Sequence, residues 1–255
     1  MTVELGIAAS AAPRAGGAAG GRAPDAAGGL LVSEIFGPTF QGEGPSAGQR
    51  AAFVRLGRCT LDCSWCDTPW TWDSKRHDLG TELRPMSEGQ IWSALRPIRA
   101  GLVVITGGEP LIWQKRLVWL ADMCRACGRR VEIETNGTIP PRRSLQHNAV
   151  TFNVGLKLAN SGVAAHRRLR PRAIRQLAAT RRAVWKFVVT GRADLEEIAG
   201  LERAYGLAPI WVMPEGASAA AVLTGMRDLA DAVLARGWNL TPRLHTLLWG
   251  DARGR

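Results

Sequence analysis

Runs that read as β-strands alternate with runs that read as helices along this chain, and the chemically unusual segments fall mostly just after strands. The strands are Ala52–Leu56, Leu102–Thr106, Val131–Thr135, Thr151–Val154, Val184–Val189 and Pro209–Met213, with Arg243–Leu247 as a seventh candidate. Helices fall near 87–96, 114–127, 166–179, 193–204 and 218–236. This alternation builds a parallel sheet with helical crossovers. The units are too few for a closed eight-stranded barrel and too regular in order for an α+β fold. The expected architecture is therefore α/β, an open and partial β/α barrel. Three cysteines follow the first strand, Gly107-Gly108-Glu109-Pro110 the second, and Asn136-Gly137-Thr138 the third. Gly155-Leu156-Lys157 follows the fourth and Pro214-Glu215-Gly216 the sixth. Parallel β/α folds keep their sites at the C-terminal rim of the sheet, and unrelated loops would not sort themselves to it.

The cysteines Cys59, Cys63 and Cys66 have the spacing C-x3-C-x2-C. Three thiolates on one short loop hold three irons of a [4Fe–4S] cube. The fourth iron then lacks a protein ligand and is open to a small molecule. This is the layout of radical S-adenosylmethionine (SAM) enzymes, in which the amino and carboxylate groups of SAM take the open iron. A zinc knuckle would need four ligands, and the next histidine, His77, is eleven residues on.

Composition limits the remaining choices. At 255 residues the chain suits one full-sized domain. Residues 1–29 are Ala/Gly-rich without hydrophobic period, which predicts a disordered tail before a folded domain spanning 30–255. No apolar run is long enough for a bilayer, and no signal peptide is evident. Five cysteines, three in one motif, make no disulfide framework, so a reducing cytoplasm is expected. The net charge of +11 raises the question of nucleic acid. The densest patch, His166 to Arg172 with Arg175, Arg181 and Arg182, has no interleaved aromatic rings for base stacking. It reads as a solvated helix face or a docking surface for an anion, not as a nucleic-acid site.

Other segments carry weaker signals. Glu109 offers a carboxylate to the ammonium of SAM, and its two preceding glycines allow close backbone approach. Phe36 to Pro45, before the first strand, combines Gly, an amide, a carboxylate and aromatic rings, which suits a flat polar heterocycle. Thr68 offers a hydroxyl to a hard cation such as Mg2+, although on these residues alone a turn or cap is the preferred reading. Cys124 and Cys127 lie on a helical stretch away from the rim and read as packing residues. Trp65, Trp70 and Trp72 flank the cysteines.

With these residues in place, the chain resembles the 7-carboxy-7-deazaguanine synthase family of radical SAM enzymes from about Ser33 onward. The resemblance rests on Phe40-Gln41-Gly42-Glu43-Gly44, Phe53-Val54-Arg55-Leu56 and Cys63-Ser64-Trp65-Cys66-Asp67-Thr68. It continues through Thr106-Gly107-Gly108-Glu109-Pro110, Glu134-Thr135-Asn136-Gly137-Thr138 and Lys157-Leu158-Ala159-Asn160-Ser161. It implies conversion of 6-carboxy-5,6,7,8-tetrahydropterin to 7-carboxy-7-deazaguanine and ammonia, a step of queuosine-type biosynthesis. The implied cofactors are a [4Fe–4S] cluster, SAM and Mg2+. In that family a 5′-deoxyadenosyl radical takes hydrogen from C6, the ring contracts, and SAM is regenerated. By position, Phe40, Gln41, Gly42, Arg55 and Thr106 would contact the pterin, with the Arg55 guanidinium donating to the pterin's carboxylate. Thr68 would bind Mg2+. Trp65, Asp67, Gly108, Gly155, Leu156, Lys157 and Met213, Pro214, Glu215 and Gly216 would line SAM. A homodimer and an electron donor such as flavodoxin or ferredoxin are implied as partners.

Gly155-Leu156-Lys157 departs from the family's Ser-Pro-Lys and removes a hydroxyl contact to SAM. The C-terminal stretch Gly250 to Arg255 is assigned nothing. Within enzymes the competing reading is a glycyl-radical activating enzyme, which has no need of a pterin pocket. A catalytically inactive cluster-binding scaffold and a tRNA-binding radical SAM enzyme are the others.

Overall fold

The computed structural model describes residues 28–146, 149–250 and 252–255. Nine strands form one sheet in the order β3-β1-β2-β4-β5-β6-β7-β8-β9. They are β1 (Leu30–Phe40), β2 (Arg50–Leu56), β3 (Arg84–Met86), β4 (Leu102–Gly107), β5 (Arg130–Thr135), β6 (Val150–Gly155), β7 (Ala183–Val189), β8 (Ile210–Pro214) and β9 (Asn239–Leu240). The helices are α1 (Leu79–Glu82), α2 (Glu88–Leu95), α3 (Gln114–Ala126), α4 (Ala165–Arg168), α5 (Pro171–Ala179), α6 (Asp194–Tyr205), α7 (Ala219–Leu234) and α8 (Leu244–Trp249). From β2 through β9 every pairing is parallel, while β1 runs antiparallel to β2 and β3. This is the expected open β/α barrel with an antiparallel margin added. Most of the expected tail, residues 1–27, lies outside the described residues.

Side chains alternate across each strand, and this sorts the sheet into two unlike faces. Val54, Ile105, Ile133, Val154, Phe187 and Val212 point to one face and join the main core with Leu117, Leu120, Ile174 and Ile198 of the helices. The opposite, concave face carries Arg55 beside Thr106, Glu132 beside Thr151, Glu134 beside Asn153, and Gly155 beside Lys186. A smaller apolar patch of Ala51, Phe53, Leu102 and Val104 floors one end of that face. The polar groups of the sheet therefore converge on its inner side.

Three sequence expectations are corrected. The segment from Phe36 to Phe40, expected to precede the first strand, belongs to a strand of its own, β1. Its register shifts near Ser33 and near Gly37-Pro38 hide the strand period. Pro38 is tolerated because β3 covers only Leu30 to Val32 of the outer edge. Arg243–Leu247 is not a strand: Leu244–Trp249 is helical, with leucines at 244, 247 and 248 in a helical period. The expected helix at 166–179 is split into α4 and α5, with Pro171 at the first turn of the second.

Candidate active site

The cysteine loop leaves β2 and is fixed to the loop after β4. Gly108 N donates to Leu56 O at 3.0 Å and Glu109 N to Arg58 O at 2.8 Å. A Cβ on Gly107 would lie 2.0 Å from Leu56 O, and its φ of +133° is also closed to L-residues. These glycines serve loop-to-loop packing as well as any approach to a ligand. Cys59, Cys63 and Cys66 border a cavity of about 130 Å3 together with Trp65, Gly108 and Lys157.

Glu109 does not reach that cavity. It is fully buried, with Oε1 accepting from Leu111 N at 2.8 Å and Oε2 from Asn136 N at 2.7 Å, while Thr135 Oγ1 lies within 3.0 Å of both. Those donors use the carboxylate's lone pairs. Glu109 therefore ties the loops after β4 and β5 together, a positioning residue where direct contact with SAM was expected. Burial raises its pKa, against the pull of those hydrogen bonds.

The sulfurs have donors of their own. Trp72 Nε1 donates to Cys66 Sγ at 3.3 Å, and Leu61 N and Asn136 Nδ2 approach Cys59 Sγ at 3.5 and 3.7 Å. Burial pushes the Cys59 thiol up to about 12, with smaller upward effects from Glu109 and the neighbouring thiols. Cys63 is also raised by burial, partly offset by Lys157. A bound metal's charge reverses that balance and holds the thiolate. Among the described residues no three His, Cys, Asp or Glu side chains converge on a single-ion site. Three sulfurs around a shared cavity, each of two with N–H donors, fit a larger iron–sulfur core and not a lone zinc.

A second cavity of about 140 Å3 lies against the first, and Thr106 and Glu134 border both. It brings together Phe40, Gln41, Gly42, Arg55, Thr68 and Thr106, every residue expected to hold substrate or Mg2+. Thr106 Oγ1 donates to Glu134 Oε2 at 2.7 Å. Gln41 Nε2 donates to Glu132 Oε1 at 2.7 Å and Glu134 Oε1 at 3.2 Å. A Cβ on Gly42 would meet His245 Nδ1 at 2.1 Å, so α8 packs directly on this loop. Arg55 is already partnered: its Nε donates to Glu34 Oε2 at 2.9 Å, which leaves the terminal nitrogens for a ligand. Phe36 and Phe53 stack at 4.9 Å nearby.

The residues expected around SAM divide. Trp65, Asp67, Lys157, Met213 and Glu215 border one recess beside the cysteine cavity, and Gly155 and Gly108 border the cavity itself. Lys157 Nζ donates to Gly155 O at 3.0 Å and sits 5.5 Å from the Trp65 ring centroid. The Leu156 side chain is 1% exposed in the main core, which leaves only its backbone to face SAM. Pro214 likewise faces outward, against Gly225 of α7. Gly216 contributes its carbonyl, which accepts from Arg243 at 2.9 Å.

The sequence reading missed a charged network under these cavities. Lys186 pairs with Glu43 and lies 3.7 Å from Glu134. Burial alone would lower its pKa, but Glu43 and Glu134 outweigh it and hold it above the usual lysine value. Burial pushes Glu43 upward, and Lys186, His245 and Arg243 outweigh it, so its carboxyl is held well below the usual range. Burial, and then Glu134, raises Glu132. Arg243 pairs with Asp67 and approaches Glu43 at 3.6 Å, joining the cysteine loop to α8. The C-terminal residues also matter: Arg253 bridges Glu34 and Glu82 at 2.8 and 3.0 Å and, with Arg255, borders the second cavity. One signal was available: single ionisable residues inside apolar strands, as in Ala183–Val189, cost free energy unless paired.

The Radical SAM superfamily profile matches residues 54–184. A 7-carboxy-7-deazaguanine synthase of Pyrobaculum aerophilum is 40% identical over 229 residues, 89% of this chain and 97% of that one. The chain belongs to the 7-carboxy-7-deazaguanine synthase family. A Bacillus cereus member is 31% identical over 88% of this chain and 98% of its own length. The crystal structure of QueE from Escherichia coli superposes with a TM-score of 0.65 at 26% identity, covering 83% of this chain and 92% of that one. As a radical SAM family member, the chain uses a [4Fe–4S] cluster and SAM, and no helix among the described residues is long and apolar enough to cross a membrane.

Proposed function

We propose that this chain converts 6-carboxy-5,6,7,8-tetrahydropterin to 7-carboxy-7-deazaguanine with loss of ammonia, in queuosine-type 7-deazapurine biosynthesis. The observation that carries this reading is the pair of adjoining cavities, one bordered by three cysteines and the other by aromatic and charged groups, with Thr106 and Glu134 common to both. Cluster and SAM together supply one-electron hydrogen-atom abstraction. Cys59, Cys63 and Cys66 hold the iron. Trp65, Asp67, Gly108, Gly155, Lys157, Met213, Glu215 and Gly216 hold SAM, with Glu109, Leu156 and Pro214 keeping those segments in position.

Arg55 reads the substrate carboxylate with its terminal nitrogens, while Glu34 fixes the guanidinium plane. Phe40, Gln41, Gly42 and Thr106 bound the heterocycle, and Glu134 accepts from its N–H edge. Thr68 binds Mg2+ with substrate and water oxygens. The working unit is a homodimer in the cytoplasm, reduced by an electron-transfer protein such as flavodoxin or ferredoxin; family resemblance and the need for free thiolates support this. A glycyl-radical activating enzyme or an inert scaffold has no use for the Gln41–Glu43–Arg55 pocket.

Complementation tests the reading. In a bacterial strain lacking its own 7-carboxy-7-deazaguanine synthase, expression of this chain restores queuosine in tRNA, and the Cys59→Ala variant does not. Queuosine still absent when the protein accumulates with its iron in place contradicts the assignment.

A further inference from the structure

The mechanism leaves one strongly biased surface unused. From Thr135 to Ala193 the chain contains no Asp or Glu but 12 Lys and Arg residues, one more than the whole chain's net charge of +11. Four of them, Arg167, Arg168, Arg172 and Arg175, lie on α4 and α5, and Arg170 sits between the two helices. Ala173, Ile174 and Leu177 turn the apolar stripe of α5 inward, so Arg172 and Arg175 stand on its exposed side, next to exposed Arg170 and Arg167.

This surface is built onto the cysteine loop. Val163 packs with Leu61 and Cys63. Ser64 N donates to Ser161 O at 3.0 Å. Arg167 pairs with Asp62, the residue before Cys63, at 2.9 Å. Arg168 is buried and fastens α4 from beneath, bonding Val163 O at 3.1 Å, Lys157 O at 2.8 Å and Glu197 at 2.6 Å. Between the loop and the arginines most exposed residues are small, Ser64, Gly162, Ala164 and Ala165, with His166 beside them and Asp62 paired to Arg167. A stretch of mainly small side chains lets another protein's surface come close to the cysteines, and a cationic rim beside it selects an acidic one. No aromatic ring interleaves the run from His166 to Arg182, which argues against single-stranded nucleic acid.

We propose that the arginine face of α4 and α5 docks an acidic one-electron donor protein of the flavodoxin type beside the cysteine loop. This rests on the proposed reaction, which consumes a reduced cluster. In the encounter the donor's anionic flavin hydroquinone gives up one electron and becomes the neutral semiquinone, while the oxidised cluster (2+) becomes the reduced one (1+). No bond is made or broken and no proton moves.

The test uses cluster-reconstituted enzyme and a purified acidic flavodoxin in its hydroquinone form, with dithionite as a small-molecule reductant in parallel. Arg170→Glu/Arg172→Glu/Arg175→Glu is compared with the natural protein. Two quantities are read: flavodoxin affinity by titration, and the second-order rate of cluster bleaching in stopped flow. The variant's rate with flavodoxin falls about tenfold or more, the scale of electrostatic steering, and its rate with dithionite is unchanged. The natural protein's rate with flavodoxin drops steeply between low and physiological salt, as the Debye length shrinks to about 8 Å. Equal rates with flavodoxin for both proteins overturn the proposal. So does a flavodoxin affinity that the triple substitution leaves unchanged. If the Glu variant is slow with dithionite as well, the corresponding Arg→Gln triple, which adds no repulsion to folding, must reproduce the selective loss, and its failure to do so also overturns the proposal. A protein that docks flavodoxin but makes no deazaguanine leaves this inference standing and removes the proposed reaction.

Discussion

Replacing Lys186 by Met removes the one lysine set between the buried carboxylates under the two cavities. In the natural protein Lys186 pairs with Glu43 and stands 3.7 Å from Glu134, and it is only 9% exposed. Breaking such a pair leaves an uncompensated buried charge and costs about 3–5 kcal/mol. For a domain of this size each kcal/mol moves Tm by about 2–4 °C, so the melting point of the reconstituted protein falls by roughly 6–20 °C. The pH dependence identifies the cause. Glu43 is held below its unfolded value, so its favourable contribution is full above about pH 4.5 and is lost as pH falls through the folded value. Lys186 is raised above its unfolded 10.5, so its contribution is full below pH 10.5 and is lost only at pH above that. Between those limits the natural pair is at full strength. In Lys186→Met burial is no longer opposed by that cation, and Glu43 titrates upward. The Tm gap between the two proteins is therefore widest near pH 8 and narrows toward pH 5. Lys186→Arg, which keeps the charge, loses less than Met. Differential scanning fluorimetry across pH 5–8 measures all of this. A Tm shift below about 2 °C at pH 7.5, or a gap that does not change with pH, refutes the argument.

Thr68→Ala weakens the response to added Mg2+ and lowers turnover while the iron content stays the same, because the bonds from Thr71 use the Thr68 carbonyl and survive the change. Iron assay and an Mg2+ titration of rate check this. Arg55→Lys loses both the Nε bond to Glu34 and the fork toward substrate. Its kcat/KM falls by about tenfold or more, given roughly 1.5–3 kcal/mol for a charged hydrogen bond, and a near-natural value would mean that Arg55 serves Glu34 alone. At the departure from the family pattern the two positions behave differently. Gly155→Ser is accepted, since the new Cβ meets Lys157 Nζ at 3.3 Å, the movable end of a side chain. Leu156→Pro empties part of the core and costs about 2 kcal/mol or more, which thermal melts of the two single variants resolve.

Much of this was legible in the sequence, for physical reasons. The strands β2 and β4 to β8 are apolar runs separated by helical periods, and buried parallel strands announce themselves that way. The cysteine loop and the segments after β4, β5 and β6 stood out because glycine and cysteine cluster there. β1 was missed because register shifts and Gly37-Pro38 break its alternation, and β3 and β9 because three and two residues carry no period. The network of Glu132, Glu134, Asn153 and Lys186 was hidden for another reason. Lys186 is the single polar residue of its strand, Asn153 is one of two, the glutamates alternate with apolar residues in β5, and only the strand register shows that they share a face. Glu109 was misplaced because a motif gives a residue's neighbours in sequence but not the direction of its side chain. The arginines of the C-terminal stretch reach the second cavity through folding that no local pattern predicts.

The central claim is that the two adjoining cavities form one site for one reaction. Reconstituted protein is incubated anaerobically with 6-carboxy-5,6,7,8-tetrahydropterin, SAM, Mg2+ and reductant, and product, ammonia and SAM are quantified by mass spectrometry and enzymatic assay. The account predicts 7-carboxy-7-deazaguanine and ammonia in equal amounts, over many turnovers, with SAM largely conserved and nothing formed by Cys59→Ala. Cleavage of SAM without any deazaguanine, from protein carrying its full iron, would contradict it.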